Sequence, residues 1–327
     1  MNLYYGAKAA GIHHLQEGKC CQDSCLIFRL PEGGMGFVLA DGVGSASMAA
    51  LASSRACTCA RDFIKVNYPL MEDEESVLAL LNGAMNRSMK DLYKLARDSG
   101  LKDREFDTTL MIVLMTGSGE EQGTRGRHVY TAGVGDGGII GLSESGSYRV
   151  LYAPRKGEDG SSVIPLRWGP SEWEIRKAEG TYASVLAATD GLLDALFMPP
   201  LLKMDPYGPQ ADIPMLRQFM DPALLEEKAG PGRSLQEYME KRITDPEDLA
   251  GVTDDDRTVC ALIDPACRVP EPSCCEKPDY KKLLQMRDQL IRGELPDTGP
   301  AVGGCRLTTP DIFWAISRRG DPRRRSS

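Results

Sequence analysis

Four acidic motifs stand out between residues 40 and 258. They are Ala40-Asp41-Gly42-Val43-Gly44, Gly133-Val134-Gly135-Asp136-Gly137-Gly138, Ala188-Thr189-Asp190-Gly191 and Asp254-Asp255-Asp256-Arg257-Thr258. Each of the first three follows an apolar run that reads as a buried strand, and the fourth precedes one, Val259-Cys260-Ala261-Leu262-Ile263. Carboxylates beside glycines at strand ends are a common source of hard oxygen ligands for divalent cations. Any one such motif is also an ordinary turn, so the signal lies in the set. Asp41, Asp190 and Asp255 brought together would repel one another and resist joint ionisation. Bound cations relieve that repulsion, and a ligand set made only of oxygens favours Mg²⁺ or Mn²⁺. Gly42, with no side chain, can turn its carbonyl toward such an ion. Two ions held close together can share a hydroxide and clamp a phosphoryl group for in-line attack. The chain has no Cys-x5-Arg loop, no Gly-x-Ser-x-Gly elbow and no Gly-x4-Gly-Lys-Ser/Thr loop that would argue for covalent or nucleotide-loop chemistry.

Positioning these carboxylates requires several strands. Apolar runs predict strands at 3–11, 24–30, 36–40, 110–115, 129–132, 138–142, 148–152, 183–188 and 259–263. A helix rich in small residues is expected from Ser45, and a second over Glu74–Arg97, where Val77, Leu81, Met85, Leu92 and Leu95 recur at helical spacing. The short turns among the strands between 129 and 152 predict antiparallel neighbours. Strands, then two helices, then a β meander predict an α+β class with antiparallel sheets. Residues 1–265 read as one domain. Within it, 198–250, rich in Pro and Gly, reads as an insertion between Asp190 and Asp255, of the sort that covers a site. Residues 266–327 read as a linker, a possible helix over 278–292 and a basic tail.

The 327 residues suffice for a substantial core, and 42% hydrophobic with 26% charged residues is ordinary for a globular chain. A net charge of -8 argues against nucleic acid or an anionic membrane as partner. With neither a signal peptide nor an apolar stretch of membrane-spanning length, a cytoplasmic location is expected. The ten cysteines show neither paired Cys-x-x-Cys spacing nor matching histidines, so free thiols are expected.

The order Gln22-Asp23, Asp41-Gly42-x-Gly44, Thr108-Thr109, Gly135-Asp136, Thr189-Asp190-Gly191, Asp255-Asp256-x-Thr258 resembles the metal-dependent PP2C (PPM) family of serine/threonine protein phosphatases, bacterial branch. The likeness runs over about residues 6 to 264. It implies a sandwich of two antiparallel β-sheets flanked by helices, with a flap inside the insertion. It implies two or three Mn²⁺ or Mg²⁺ ions and hydrolysis of phosphomonoesters by a hydroxide bridging two of them. Asp41 would bridge both ions, Gly42 would supply a carbonyl, and Asp190 and Asp255 would complete one site, with Asp256 the next candidate at that last position. Asp136 would hold a third, weaker ion, and Asp23 would orient metal-bound water. The implied partner is a phosphorylated protein, opposite a protein kinase, with the enzyme a monomer.

Departures from the family pattern qualify the resemblance. Many members have Glu where this chain has Gln22, and Arg where it has Gly18. Lys19, next to Gly18, is then the candidate for the substrate phosphate, as a point charge without Arg's two-pronged fit. Eukaryotic members often have His where this chain has Val43, which leaves His14 as a candidate acid for the leaving group. Two alternatives follow. One is a catalytically weak member that acts as a binding module, and the other is a phosphatase for small metabolites.

Overall fold

The computed structural model describes residues 3–71, 73–117, 126–159, 161–196, 213–228, 234–245 and 253–270. Two five-stranded antiparallel sheets form the centre. The first contains β1 (Leu3–Ala9), β6 (Gly138–Ser143), β7 (Tyr148–Tyr152), β9 (Tyr182–Ala188) and β10 (Arg257–Ile263), in the order β1-β10-β9-β6-β7. The second contains β2 (Ser24–Arg29), β3 (Met35–Ala40), β4 (Leu110–Thr116), β5 (His128–Val134) and β8 (Glu174–Lys177), in the order β2-β3-β4-β5-β8.

Period-2 side-chain alternation explains why the central strands are apolar on both faces. On β3, Met35, Phe37 and Leu39 enter the layer between the sheets, while Val38 and Ala40 face the helices outside. On β10, Cys260 and Leu262 point inward, and Val259, Ala261 and Ile263 point outward. Helices α2 (Ala49–Asn67) and α3 (Glu74–Ser99) cover the outer face of the second sheet. The small residues Ala52, Ala56 and Ala60 of α2 are fully buried in that layer. Asp73 caps α3 through a reciprocal pair of hydrogen bonds with Ser76, and Gly100 ends it in the left-handed conformation. The result is a helix–sheet–sheet–helix sandwich, as expected.

The insertion contributes to the other outer layer. Helices α5 (Ile213–Met220), α6 (Pro222–Lys228) and α7 (Leu235–Thr244) bury Leu216, Phe219, Met220, Leu225, Met239 and Ile243 against the first sheet. Tyr5 Oη donates to the Phe219 carbonyl at 2.8 Å, and Ser184 Oγ donates to the Met220 carbonyl at 2.6 Å. The remainder of 198–250, the linker beyond residue 270, the helix at 278–292 and the basic tail lie outside the described residues. The described cysteines are free thiols, and among the described residues no helix is long and apolar enough to cross a membrane.

Three local expectations differ from the structure. The helix expected from Ser45 begins at Ala49, because the Val43 and Met48 N–H groups are taken by the Asp107 and Glu105 carbonyls. Gly11 ends β1 early and leads into a short helix, α1 (Ile12–Gln16). Finally, β6 and β7 pair as expected, but β5 and β6 belong to different sheets. The chain crosses from one sheet to the other at Gly135-Asp136-Gly137. Gly135 adopts φ 110°, and a Cβ there would lie 2.4 Å from Thr109 Cγ2. A positive φ is open to glycine and costly for other residues. Gly135→Ala is therefore expected to cost roughly 2–4 kcal/mol, strain and overpacking combined, and to displace Asp136. Urea unfolding measures the first effect, and a weakened Mn²⁺ affinity measures the second.

Candidate metal centre

Asp41 follows the last residue of β3, where the strand leaves the sheet. Its backbone is locked by the pair ahead of β4: Thr109 N–H and Thr108 Oγ1 both donate to the Asp41 carbonyl at 2.8 Å, and Asp41 N–H donates to Thr109 Oγ1 at 2.8 Å. Thr108-Thr109 thus aims the first acidic motif. Arg167 holds the same loop from below through a two-pronged contact with Asp107, at 2.7 and 2.8 Å. Gly42 packs against α2, and a Cβ there would lie 2.5 Å from the Ala49 carbonyl oxygen. Only glycine fits this position.

Asp190 ends the β9 motif and begins α4 (Asp190–Leu196). Buried Thr189 ties β9 to β10, since its Oγ1 accepts from Thr258 N–H at 3.0 Å. The same hydroxyl donates to Asp23 Oδ2 at 2.9 Å. One threonine thereby links the first sheet to the acidic residue that precedes β2 of the second.

The crossing at Gly135-Asp136-Gly137 brings the third carboxylate in between the sheet ends. Asp41, Asp136 and Asp190 each offer an oxygen, and these atoms all lie within 4.8 Å of one another. Burial pushes Asp41 well above the usual carboxylate range, and the charges of Asp23 and Asp190 push it further. Burial likewise raises Asp190 to about 7, with the charges of Asp136 and Asp255 next in effect. Asp23 rises to about 6, chiefly through burial. Its Oδ1 has no hydrogen bond among the described residues. Such a cluster retains protons unless cations neutralise it.

The fourth motif divides between two roles. Asp256 is 3% exposed and fully engaged: Oδ1 accepts from Gly11 N–H at 2.7 Å and contacts His14 Nδ1 at 2.9 Å, and Oδ2 accepts from Gln22 N–H at 2.6 Å. It fastens the N-terminal segment to the site. Asp255 is exposed, accepts from Asp256 N–H at 2.8 Å, and acts on Asp190 through its charge. It lies outside the three-carboxylate group. His14, on α1, is engaged by Asp256. Lys19 is exposed, its ammonium 2.6 Å from Glu17 Oε2. Among the described residues, Lys156 reaches the cluster, with Nζ 3.3 Å from Asp136 Oδ2. No spacing in the sequence points to Lys156. The hub role of Asp256 had a faint signal in the doubled aspartate of the fourth motif.

The donors suit hard divalent ions. Both oxygens of Asp136, Oδ1 of Asp23 and Oε1 of Gln22 are buried without a hydrogen bond among the described residues. Buried polar atoms seldom stay unpaired unless a ligand, water or ion completes them. The convergent group is all carboxylate, which matches Mg²⁺ or Mn²⁺ rather than a softer metal.

A two-sheet sandwich with an acidic cluster at the strand ends is the architecture of a hydrolase family whose model also matches the sequence. The model described as Protein phosphatase 2C matches residues 10–227, and the chain belongs to that family of phosphatases. The match contains Asp23, Asp41, Asp136 and Asp190 and ends before Asp255. The serine/threonine phosphatase of S. agalactiae superposes with a TM-score of 0.51 at 14% identity, over 80% of this chain and 99% of that one. The serine/threonine phosphatase PstP/Ppp of Mycobacterium tuberculosis is 16% identical, over 80% and 98%, with a TM-score of 0.49. Identities this low speak to the fold alone. No curated protein matches the sequence.

Proposed function

We infer that this chain is a metal-dependent phosphatase that hydrolyses phosphoserine and phosphothreonine in proteins. The observation that carries the reading is the convergence of Asp41, Asp136 and Asp190 within a protein phosphatase 2C fold. Asp41, the Gly42 carbonyl, Asp190 and Asp255 are the residues that would hold two Mn²⁺ or Mg²⁺ ions, with Asp136 facing the same space. When bound, the ions supply an activated water and the positive charge that a transferring phosphoryl group requires. The protein's own groups do the rest. Thr108 and Thr109 fix the direction of Asp41. Asp23, braced by Thr189, lies against Asp41 and would orient water and take up a proton. Lys19 would meet the substrate phosphate after leaving Glu17, and His14 would serve the leaving oxygen from its place beside Asp256. The partner is a phosphoprotein maintained by an opposing kinase, and the working unit is a single chain.

The purified full-length chain is expected to hydrolyse a phosphothreonine peptide and an aryl phosphate with added Mn²⁺, and to stop with chelator. Preference for sugar phosphates or nucleotides over phosphopeptides would favour the metabolite reading. A second reading has its own support: Gln22, Gly18 and Val43 replace groups common in the family, and Lys19 is tied to Glu17. Calorimetry showing loose metal binding and no turnover on any phosphate ester would establish a non-catalytic binding module instead.

A further inference from the structure

We propose that Lys156 is a built-in cation of the site, whose ammonium stands against Asp136 where a third divalent ion would otherwise bind. This rests on the metal-centre reading above and refines it. Asp136 is 2% exposed, and neither of its oxygens has a hydrogen bond among the described residues. A buried carboxylate in that condition needs a positive charge beside it. Lys156 supplies one at 3.3 Å. Its side chain is 42% exposed, so the ammonium enters the cluster from the solvent side on a flexible stem. Its field also reaches Asp190, where it favours the ionised form.

The approach is built into the loop after β7. Arg155 N–H donates to the Gly135 carbonyl at 2.9 Å, which ties the loop to the residue just before Asp136. The Arg155 guanidinium donates to the Glu172 carbonyl at 2.6 Å and to its carboxylate at 3.3 Å. Lys156 itself forms an isolated antiparallel bridge with Val163. These anchors on either side of the Lys156 side chain hold its stem over Asp136. Charge balance agrees with the placement. Two divalent ions and one ammonium balance Asp23, Asp41, Asp136, Asp190 and Asp255 when all are ionised. A third divalent ion would leave an excess of positive charge and would have to displace the lysine. The side chain thereby sets the number of ions the site accepts at two.

The test is Mn²⁺ binding, followed by calorimetry and by the electron paramagnetic resonance of free Mn²⁺, on the full-length chain. Wild type is expected to take up two ions. Lys156→Gln is expected to gain a third ion, or to bind its weakest ion roughly tenfold or more tightly, since a unit charge a few ångströms away has been removed. Lys156→Arg should behave as wild type, and the gain should vanish in Lys156→Gln/Asp136→Asn. Thermal melting of each variant confirms folding. Identical stoichiometry and affinities in wild type and Lys156→Gln would overturn the proposal. So would an unchanged metal titration accompanied by a raised KM for phosphopeptide, which would make Lys156 a substrate contact. Absence of Mn²⁺ binding in every protein would remove the metal-centre reading and this inference together. Two ions in wild type with no gain in the variant would remove this inference alone.

Discussion

Asp190→Asn, assayed on a phosphothreonine peptide at saturating Mn²⁺, is expected to lose at least roughly a thousandfold in kcat/KM, the scale seen when a group acting as part of a catalytic unit is removed. Asp41→Asn should lose as much or more. The substitution is nearly isosteric, so the fold is preserved and the loss reports charge. Asp41 is held by Thr108 and Thr109 through its backbone, which Asn retains. What Asn lacks is the anionic oxygen that joins Asp136 within 4.8 Å. Activity of Asp190→Asn equal to wild type would refute the mechanism. Activity retained by Asp255→Asn, with Asp190→Asn inactive, would show that the exposed member of the fourth motif is dispensable.

The same substitution should act in the opposite sense on stability. Asp190 titrates near 7 in the folded chain, well above an ordinary aspartate, because burial and neighbouring carboxylates disfavour its charge. A group raised in this way stabilises the fold fully below its unfolded pKa of about 4, and that contribution is lost as pH rises through about 7. With chelator present, Asp190→Asn and wild type should therefore melt together near pH 4.5. The variant should become the more stable protein toward pH 8, by roughly 2–4 kcal/mol after allowance for partial exposure. Mn²⁺ should offset most of that difference at pH 8, since an ion at a hundred times its Kd adds about 2.7 kcal/mol to a protein that binds it. Melting curves of the two proteins across pH, with and without Mn²⁺, decide the matter. A constant difference at all pH values would mean that neither burial nor the neighbouring carboxylates disfavour the Asp190 charge in the fold. On the proposed function, the expected pH dependence would make the cluster a stability cost retained for binding.

Much of the architecture was legible because strand signals are local. Alternating burial on β3 and β10 follows from residue type and period alone, and both strands lie where their apolar runs place them. Helix α3 likewise lies where its apolar spacing places it, over Glu74–Ser99. The short strand β8, Glu174–Lys177, has no apolar run to announce it and exists through its pairing with β5. The crossing between β5 and β6 was not legible either. Three residues joining two strands usually make a hairpin, and here the freedom of Gly135 together with the packing of Tyr152 against Gly133 sends the chain to the other sheet.

The residue order alone determined which acidic side chains end strands, and therefore that this chain belongs among proteins that gather carboxylates at a sheet edge. Local geometry suffices for that, because glycine, aspartate and a preceding apolar run act within a few residues. Which of those carboxylates meet was decided only by tertiary packing. Asp255 and Asp256 are neighbours with the same chemistry, yet one faces solvent and the other is enclosed by Gly11, His14 and Gln22. The sequence pointed to Lys19, which pairs locally with Glu17, whereas the loop after β7 brings Lys156 to Asp136. Contacts of that kind depend on how sheets stack across long separations in the chain, and no short-range preference encodes them.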